Sequence, residues 1–161
     1  MYGKREKDEA DIRYILEHLR EEDEHEAIVQ YGEDYIEKAM NDIMKCKEFF
    51  IIGCRKSDDT PVCMGGCEKT DEVGIGVVWL LSTPEIAKHQ ICLLRHIKKL
   101  LREFDENYWM LFNMLYKENQ LAKNWLTKFG FQFNNPYGMN IPKDFEFFYR
   151  IRKTRRLKGI I

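Results

Sequence analysis

Apolar positions recur at helical spacing near the start of the chain. Ile12, Ile15, Leu16 and Leu19 fall on one face and predict a first helix over 8–26. Tyr35, Ile36, Ala39, Met40 and Ile43 repeat the pattern and predict a second helix over 33–46. The period then changes. The short apolar run 48–54 reads as a strand, Ser57-Asp58-Asp59-Thr60-Pro61 as a turn, and 62–68 as the returning arm of a hairpin. A second turn at 69–72 leads into a third strand over 74–81, rich in β-branched and aromatic side chains.

Pro84 suits the first turn of a helix, with Thr83 or Ser82 as its N-cap. That helix is the longest element. Ile86, Leu93, Leu94, Ile97, Leu100, Leu101 and Phe104 form its apolar stripe, while Lys88, Arg95, Lys98, Lys99 and Arg102 face water. A strand over 108–115, a helix over 119–129, a short strand near Phe131, a loop at Asn134-Asn135-Pro136-Tyr137-Gly138 and a last strand over 145–152 complete the chain. Three strands joined by turns run antiparallel, and a crossover through a long helix implies a parallel or splayed pair. The expectation is one α/β domain: a mixed, mostly antiparallel sheet with a splayed parallel pair and helices on both faces. It divides into N-terminal helices (1–47), a β-meander (48–83), a helix–strand–helix–strand half (84–151) and a tail (152–161).

Composition narrows the class only slightly. Lys and Arg number 26 and Asp and Glu 27, so net charge points to no polyanionic partner. No apolar run approaches the roughly 20 residues of a membrane helix, and the charged N-terminus does not read as a signal peptide. Five cysteines at irregular spacing suit a reducing, cytosolic-type compartment. The charge is unevenly placed: Glu21, Glu22, Asp23, Glu24 and Glu26 cluster early, and Arg150, Arg152, Lys153, Arg155, Arg156 and Lys158 close the chain. The basic end is either a nucleic-acid or phosphate contact or a solvated terminus. His89, Cys92 and His96 have ligand-like spacing on one helical face but lack a fourth ligand, and Cys63 and Cys67 flank glycines that suit close packing, so no metal is expected. Trp79, Trp109 and Trp125 read as core or sheet-facing aromatics.

Asn119, Ala122 and Phe129-Gly130-Phe131 resemble the second half of the GNAT N-acyltransferase core, and the order of elements over 48–151 agrees. The resemblance implies acetyl-CoA as cofactor, held by backbone at Leu80, Leu81 and Ser82, by the turn at Lys88, His89, Gln90, Ile91 and Cys92, and by Asn119. In that family a Gly-rich turn lets helix-terminal N–H groups close on the pyrophosphate, and a Tyr protonates the leaving thiolate. Here Ala87, Gln90 and Cys92 stand in the turn, and Leu126 stands where the Tyr belongs. Tyr116 or Tyr137 is the replacement proton donor, and Glu68 or Glu72 the candidate base.

More narrowly, Gly65-Gly66-Cys67, Trp79-Leu80-Leu81-Ser82-Thr83, Asn119, Trp125-Leu126 and Phe129-Gly130-Phe131-Gln132-Phe133 resemble a GNAT-related family of tailed-phage proteins that includes internal virion proteins. That resemblance implies a virion-associated or assembly role with weakened acetyl transfer, phage or host protein partners, and residence in the bacterial cytoplasm or virion interior. The alternative is an acetyl-CoA-dependent N-acetyltransferase acting on a small amine or a protein amino group. An open V between the strands near Trp79–Leu81 and Trp109–Asn113 would favour the enzyme.

Overall fold

Asp8 opens α1 (Glu9–Glu17), its carboxylate accepting from the amides of Ala10 at 2.9 Å and Asp11 at 3.1 Å. The computed structural model, which describes residues 1–48 and 50–152, divides the expected helix over 8–26 in two. The second piece is α2 (Glu21–Tyr31). The break has a tertiary cause: the Arg20 N–H donates 2.9 Å to the carbonyl of Ser82 instead of continuing the helical ladder. Then follow α3 (Tyr35–Lys45), β2 (Ile51–Cys54), β3 (Pro61–Lys69) and β4 (Ile75–Ser82), preceded at the N-terminus by β1 (Tyr2–Lys4). The strand expected over 48–54 is thus shorter, and Phe49 lies outside the described residues. Strand β1 has too few residues to carry a period and exists through pairing with β2, Tyr2 opposite Cys54 and Lys4 opposite Ile52.

Pro84 does not begin the long helix. It opens a separate 3-10 turn, Pro84–Lys88, and α4 runs Gln90–Asn107. Thr83 stands at the N-cap of that turn, but neither expected side chain caps it. The Thr83 hydroxyl donates to the Val62 carbonyl at 3.3 Å, and the Ser82 hydroxyl donates to Asp23 at 2.7 Å. The chain continues through β5 (Met110–Tyr116), α5 (Gln120–Lys128), β6 (Gln132–Phe133) and β7 (Phe145–Ile151). Gly130, at φ +83°, turns the chain out of α5 while the Phe131 N–H reaches the Leu126 carbonyl at 3.1 Å.

The strands form one sheet in the order β1-β2-β3-β4-β5-β7-β6, antiparallel throughout except for the parallel pair β4–β5. One face is covered by α1 and α3, whose Ile12, Ile15, Leu16, Met40 and Ile43 pack with Ile52, Met64, Trp79 and Leu81. On the other, Leu101, Phe104 and Leu126 of α4 and α5 pack with Leu111, Leu115 and Phe148. Trp125 lies among Val62, Cys63, Ile86 and Leu93. Trp109, expected in the core or on the sheet, is 43% exposed, its indole N–H donating to the Val73 carbonyl. Arg150 belongs to β7 and is clamped bidentately by Asp105 at 2.6 and 2.9 Å, so it is not part of a free basic tail. Residues 153–158 of that expected tail lie outside the described residues.

Beside Gly65 of β3 the backbone of β4 comes very close: a Cβ there would stand 2.6 Å from the Trp79 carbonyl oxygen. Gly65→Ala should therefore push the β4 arm outward and cost roughly 1–3 kcal/mol, read as a lowered urea midpoint. An unchanged midpoint would mean that this arm moves freely.

Candidate active site

The parallel pair β4–β5 is joined only at Ile75–Met110, Gly76–Leu111 and Val77–Phe112. Beyond that point each strand pairs with its outer neighbour alone, β4 with β3 as far as Ser82 and β5 with β7 as far as Tyr116. The two inner edges therefore diverge as a V. Asn113 sits at the crotch, its Nδ2 donating to the Val78 carbonyl at 2.8 Å and its Oδ1 accepting from the Met114 N–H at 2.7 Å. One side chain thus replaces a ladder rung and stops the strands from closing further.

At the open end each arm is capped by α2. Asp23 accepts from the Ser82 N–H at 2.8 Å, and Glu26 accepts from the Tyr116 N–H at 3.1 Å. Three residues apart on a helix, these carboxylates share a face. Ser82 N–H and Val78 C=O both point into the V, so the period of two along the strand aims the N–H and C=O of Leu80 there as well.

The caps are tied into a buried network. Arg20 donates to Asp23 at 2.6 and 3.2 Å, to the Ser82 hydroxyl at 3.0 Å and to Asn119 Oδ1 at 3.2 Å. Asn119 Nδ2 donates to Glu26 at 3.1 Å and Asp23 at 3.4 Å, while its Oδ1 also caps α5 by accepting from the Ala122 N–H at 3.3 Å. Asn119 is therefore both the cap of α5 and a member of the buried network. The side chains of Arg20 and Asp23 are only 8% and 3% exposed, so their charges are paired out of water.

A cavity of about 1060 Å³ passes through the V. Its lining includes Trp79, Leu80 and Leu81 on one arm and Asn113, Met114 and Leu115 on the other. Towards α2 and α3 it is bounded by Glu26, Tyr31, Asp42 and Glu68, and towards α4 and α5 by Ile97, Leu100, Leu126 and Phe129. Burial pushes the Glu26 carboxyl up from the ordinary 4.5 to about 7, and the hydrogen bond from Asn119 only partly offsets this. Burial also raises the Tyr31 phenol to about 12, with Asp42 and Glu68 adding to the effect. The Trp79 indole N–H is buried with no hydrogen-bond partner among the described residues.

Of the residues expected to bind cofactor, Leu80, Leu81 and Asn119 line this cavity, and Ser82 is held at its edge. Lys88, His89, Gln90, Ile91 and Cys92 do not. The Gln90 side chain folds back onto the Ala87 carbonyl at 3.0 Å, and Cys92 turns to the Met1 carbonyl at 3.1 Å, so neither plugs the V. The first helical bond of α4, Leu93 N–H to His89 C=O at 3.0 Å, leaves the amides of Gln90, Ile91 and Cys92 outside the helical ladder. No side chain caps that end and no acid lies in its first turn. Trp125, 3% exposed, packs with Leu93 between this turn and the cavity.

Of the candidate base and proton donors, Glu68 lines the cavity, whereas Tyr116 and Tyr137 do not. The Tyr116 ring lies against His25 at 4.1 Å, and Tyr137 is a surface residue edge-on to Phe147 and Tyr149. Arg20, Asp23, Glu26, Tyr31 and Asn113 were not singled out from the sequence. Their only trace is Arg20, Asp23 and Glu26 at successive three-residue steps, beside and within the acidic cluster at 21–26. Among the described residues no group of His, Cys, Asp or Glu is arranged to hold a metal ion, and no helix is long and apolar enough to cross a membrane.

The sequence matches no protein-family model and no curated protein. The structure does match solved ones. An aminoglycoside 6'-acetyltransferase type Ii superposes with TM-score 0.66 at 16% identity, over 96% of this chain and 99% of that one. The fold is that of the GNAT acetyltransferases. The ribosomal-protein-S18-alanine N-acetyltransferase from Escherichia coli gives TM-score 0.65 at 9% identity over 99% of both chains. A GNAT-superfamily phosphinothricin acetyltransferase from Sinorhizobium meliloti, in complex with AcCoA, gives 0.65 at 13% identity over 94% of this chain and 89% of that one. At such identities the likeness concerns the GNAT fold alone: the meander, the splayed pair and the helices on both faces.

Two consequences follow for stability. Asp23→Ala strands the buried Arg20 guanidinium and uncaps Ser82, and should cost about 3–5 kcal/mol in a denaturant titration. For Glu26 the folded state holds its proton more tightly than the unfolded chain, so its contribution is fully present below about pH 4.5 and lost as pH rises through about 7. That contribution is up to about 3 kcal/mol. Glu26→Gln retains an oxygen for the Asn119 and Tyr116 donors and should flatten the stability–pH curve across this window. An unaltered curve would show that Glu26 is not the titrating group.

Proposed function

We propose that the chain is an N-acyltransferase that uses an acyl-CoA donor and a primary-amine acceptor, with Glu26 as general base. The observation that carries this reading is a carboxyl raised to about 7 on the wall of a cavity that passes through a splayed β4–β5 pair. A base with that affinity for protons is half ionised near neutral pH, where proton transfer from an ammonium is most effective. The residues fit the donor. Leu80 offers an amide and a carbonyl to a pantetheine arm, and the free amides of Gln90, Ile91 and Cys92, beside Lys88 and His89, suit a pyrophosphate.

Bound acyl-CoA supplies the thioester whose acyl group passes to the amine nitrogen, with loss of the CoA thiolate. Glu26 takes the proton from the acceptor, and Asn119 with the Tyr116 amide holds its carboxylate in place. Trp79 offers its unpartnered N–H to an oxygen of a ligand in the cavity. The proton for the departing thiolate is assigned to Tyr31, the tyrosine that lines the cavity, in place of Tyr116 or Tyr137. Asp42 and Glu68 on the same side favour a cationic acceptor.

A second reading is a GNAT-fold protein without transfer activity, of the phage internal-virion type, using the acidic outer face of α2 for assembly. Leu126 at the usual proton-donor position favours it, as does Trp125 standing between the α4 N-terminus and the cavity. Thermal unfolding with acyl-CoA, and thiol release with a panel of amines, separates the two. Ligand at about 100 times its dissociation constant should add about 2.7 kcal/mol. Glu26→Gln should lower kcat by roughly 10²–10⁴-fold while donor binding persists. Absence of any shift with acyl-CoA would overturn the transferase reading in favour of the second.

A further inference from the structure

A near-zero net charge conceals how the charge is arranged. Exposed acids gather on one side of the sheet, Glu9 and Glu17 on α1 and Glu21 and Glu24 on α2. On the other side, Arg95, Lys98, Lys99 and Arg102 of α4 are all exposed. At 3.6 residues per turn these four cations fall within about 100° of the helix circumference, and at 1.5 Å per residue they span about 10 Å. Arg95 with Lys99, and Lys98 with Arg102, stand four positions apart, where like charges repel. The helix itself offers them little relief. Glu103 is taken by Arg5 at 2.6 Å and Asp105 by Arg150 at 2.6 Å, while Glu106 makes no ion pair among the described residues. None of the four cations has a hydrogen-bond or ion-pair partner among the described residues.

Further positive charge starts beside the same helix. Arg152, the last described residue, donates to the Asp105 carbonyl at 2.7 Å, so the chain leaves β7 against the C-terminal end of α4. The sequence beyond it holds Lys153, Arg155, Arg156 and Lys158 and no acid. Repelling cations without an internal partner gain from an anion brought from outside.

We propose that the outer face of α4 is a nucleic-acid docking surface that holds the phosphate backbone without reading sequence. Four cations over about 10 Å face about three phosphates of one strand, at roughly 3.4 Å of axis rise per phosphate. A basic stripe along one helix is the electrostatic footprint of such a contact. Ile91 is the exposed large apolar side chain on this arc, so the stripe has little to insert into a bilayer. It carries no aromatic ring on which a base could stack. Phosphates are therefore its targets. None of the four cations lines the cavity in the V, so the inference does not depend on the acyltransferase reading.

Fluorescence anisotropy of the full chain with labelled duplex DNA and duplex RNA tests this. Two duplexes of different sequence should bind alike. Release of about four counterions should weaken binding at least roughly 10²-fold between about 50 and 200 mM salt. The combined variant Arg95→Gln, Lys98→Gln, Lys99→Gln, Arg102→Gln keeps good helix formers on the exposed face. It should flatten the slope of log affinity against log salt by roughly 3–4. Lys56→Gln with Lys143→Gln removes exposed cations elsewhere and should leave the slope unchanged. Failure of either duplex type to bind at the lower salt would overturn the inference, as would an unaltered slope in the four-residue variant. Equally tight binding of polyglutamate, or of phosphatidylserine vesicles, would overturn the assignment to nucleic acid.

Discussion

The parting of β4 from β5 is the constraint on which the rest of the molecule depends. Two parallel strands that separate in the middle of a sheet expose backbone N–H and C=O groups where water is scarce. Each one left unsatisfied would cost about 1–3 kcal/mol. Asn113 satisfies both arms at the crotch, and Asp23 and Glu26 take the amides at the two tips. The cleft is therefore held open by three side chains that substitute for missing ladder bonds. The break between α1 and α2 follows from the same requirement, since the Arg20 amide is bound to the carbonyl of Ser82.

This construction separates two carboxylates chemically. Asp23 is buried against Arg20 and also receives Ser82 and Asn119, which suits it to hold β4 in place. Among the described residues Glu26 accepts hydrogen bonds from Asn119 and one backbone amide, so burial dominates and raises its carboxyl to about 7. The structural caps of the V thus include one group poised to exchange a proton in the cavity. Asn119 joins them, as cap of α5 and as donor to both acids.

The fold and the chemistry of the GNAT comparison part company at particular residues. Ala122, Phe129, Gly130 and Phe131 serve packing and turn geometry, and they keep α5 against the sheet whatever the protein does. Leu126 and the side-chain-bearing first turn of α4 differ from what the resemblance expects, and they leave that geometry undisturbed. A shell can be retained by packing alone, whereas a proton donor is lost with one side chain.

Local pattern by itself determined the meander, the long α4, the Asn119 cap and the mixed sheet with its crossover, because period and turn chemistry act over a few residues. It did not give β1, too short for a period, or the split between α1 and α2, which a hydrogen bond to Ser82 imposes across 62 positions. The acidic cluster at Glu21–Glu26 shows no inward side in the sequence, because a helical pattern of Asp and Glu carries no mark of which side will be covered. Tertiary structure alone decided that Asp23 and Glu26 turn inward to the V while Glu21 and Glu24 face water, because only the packed sheet presents the bare amides those two carboxylates satisfy.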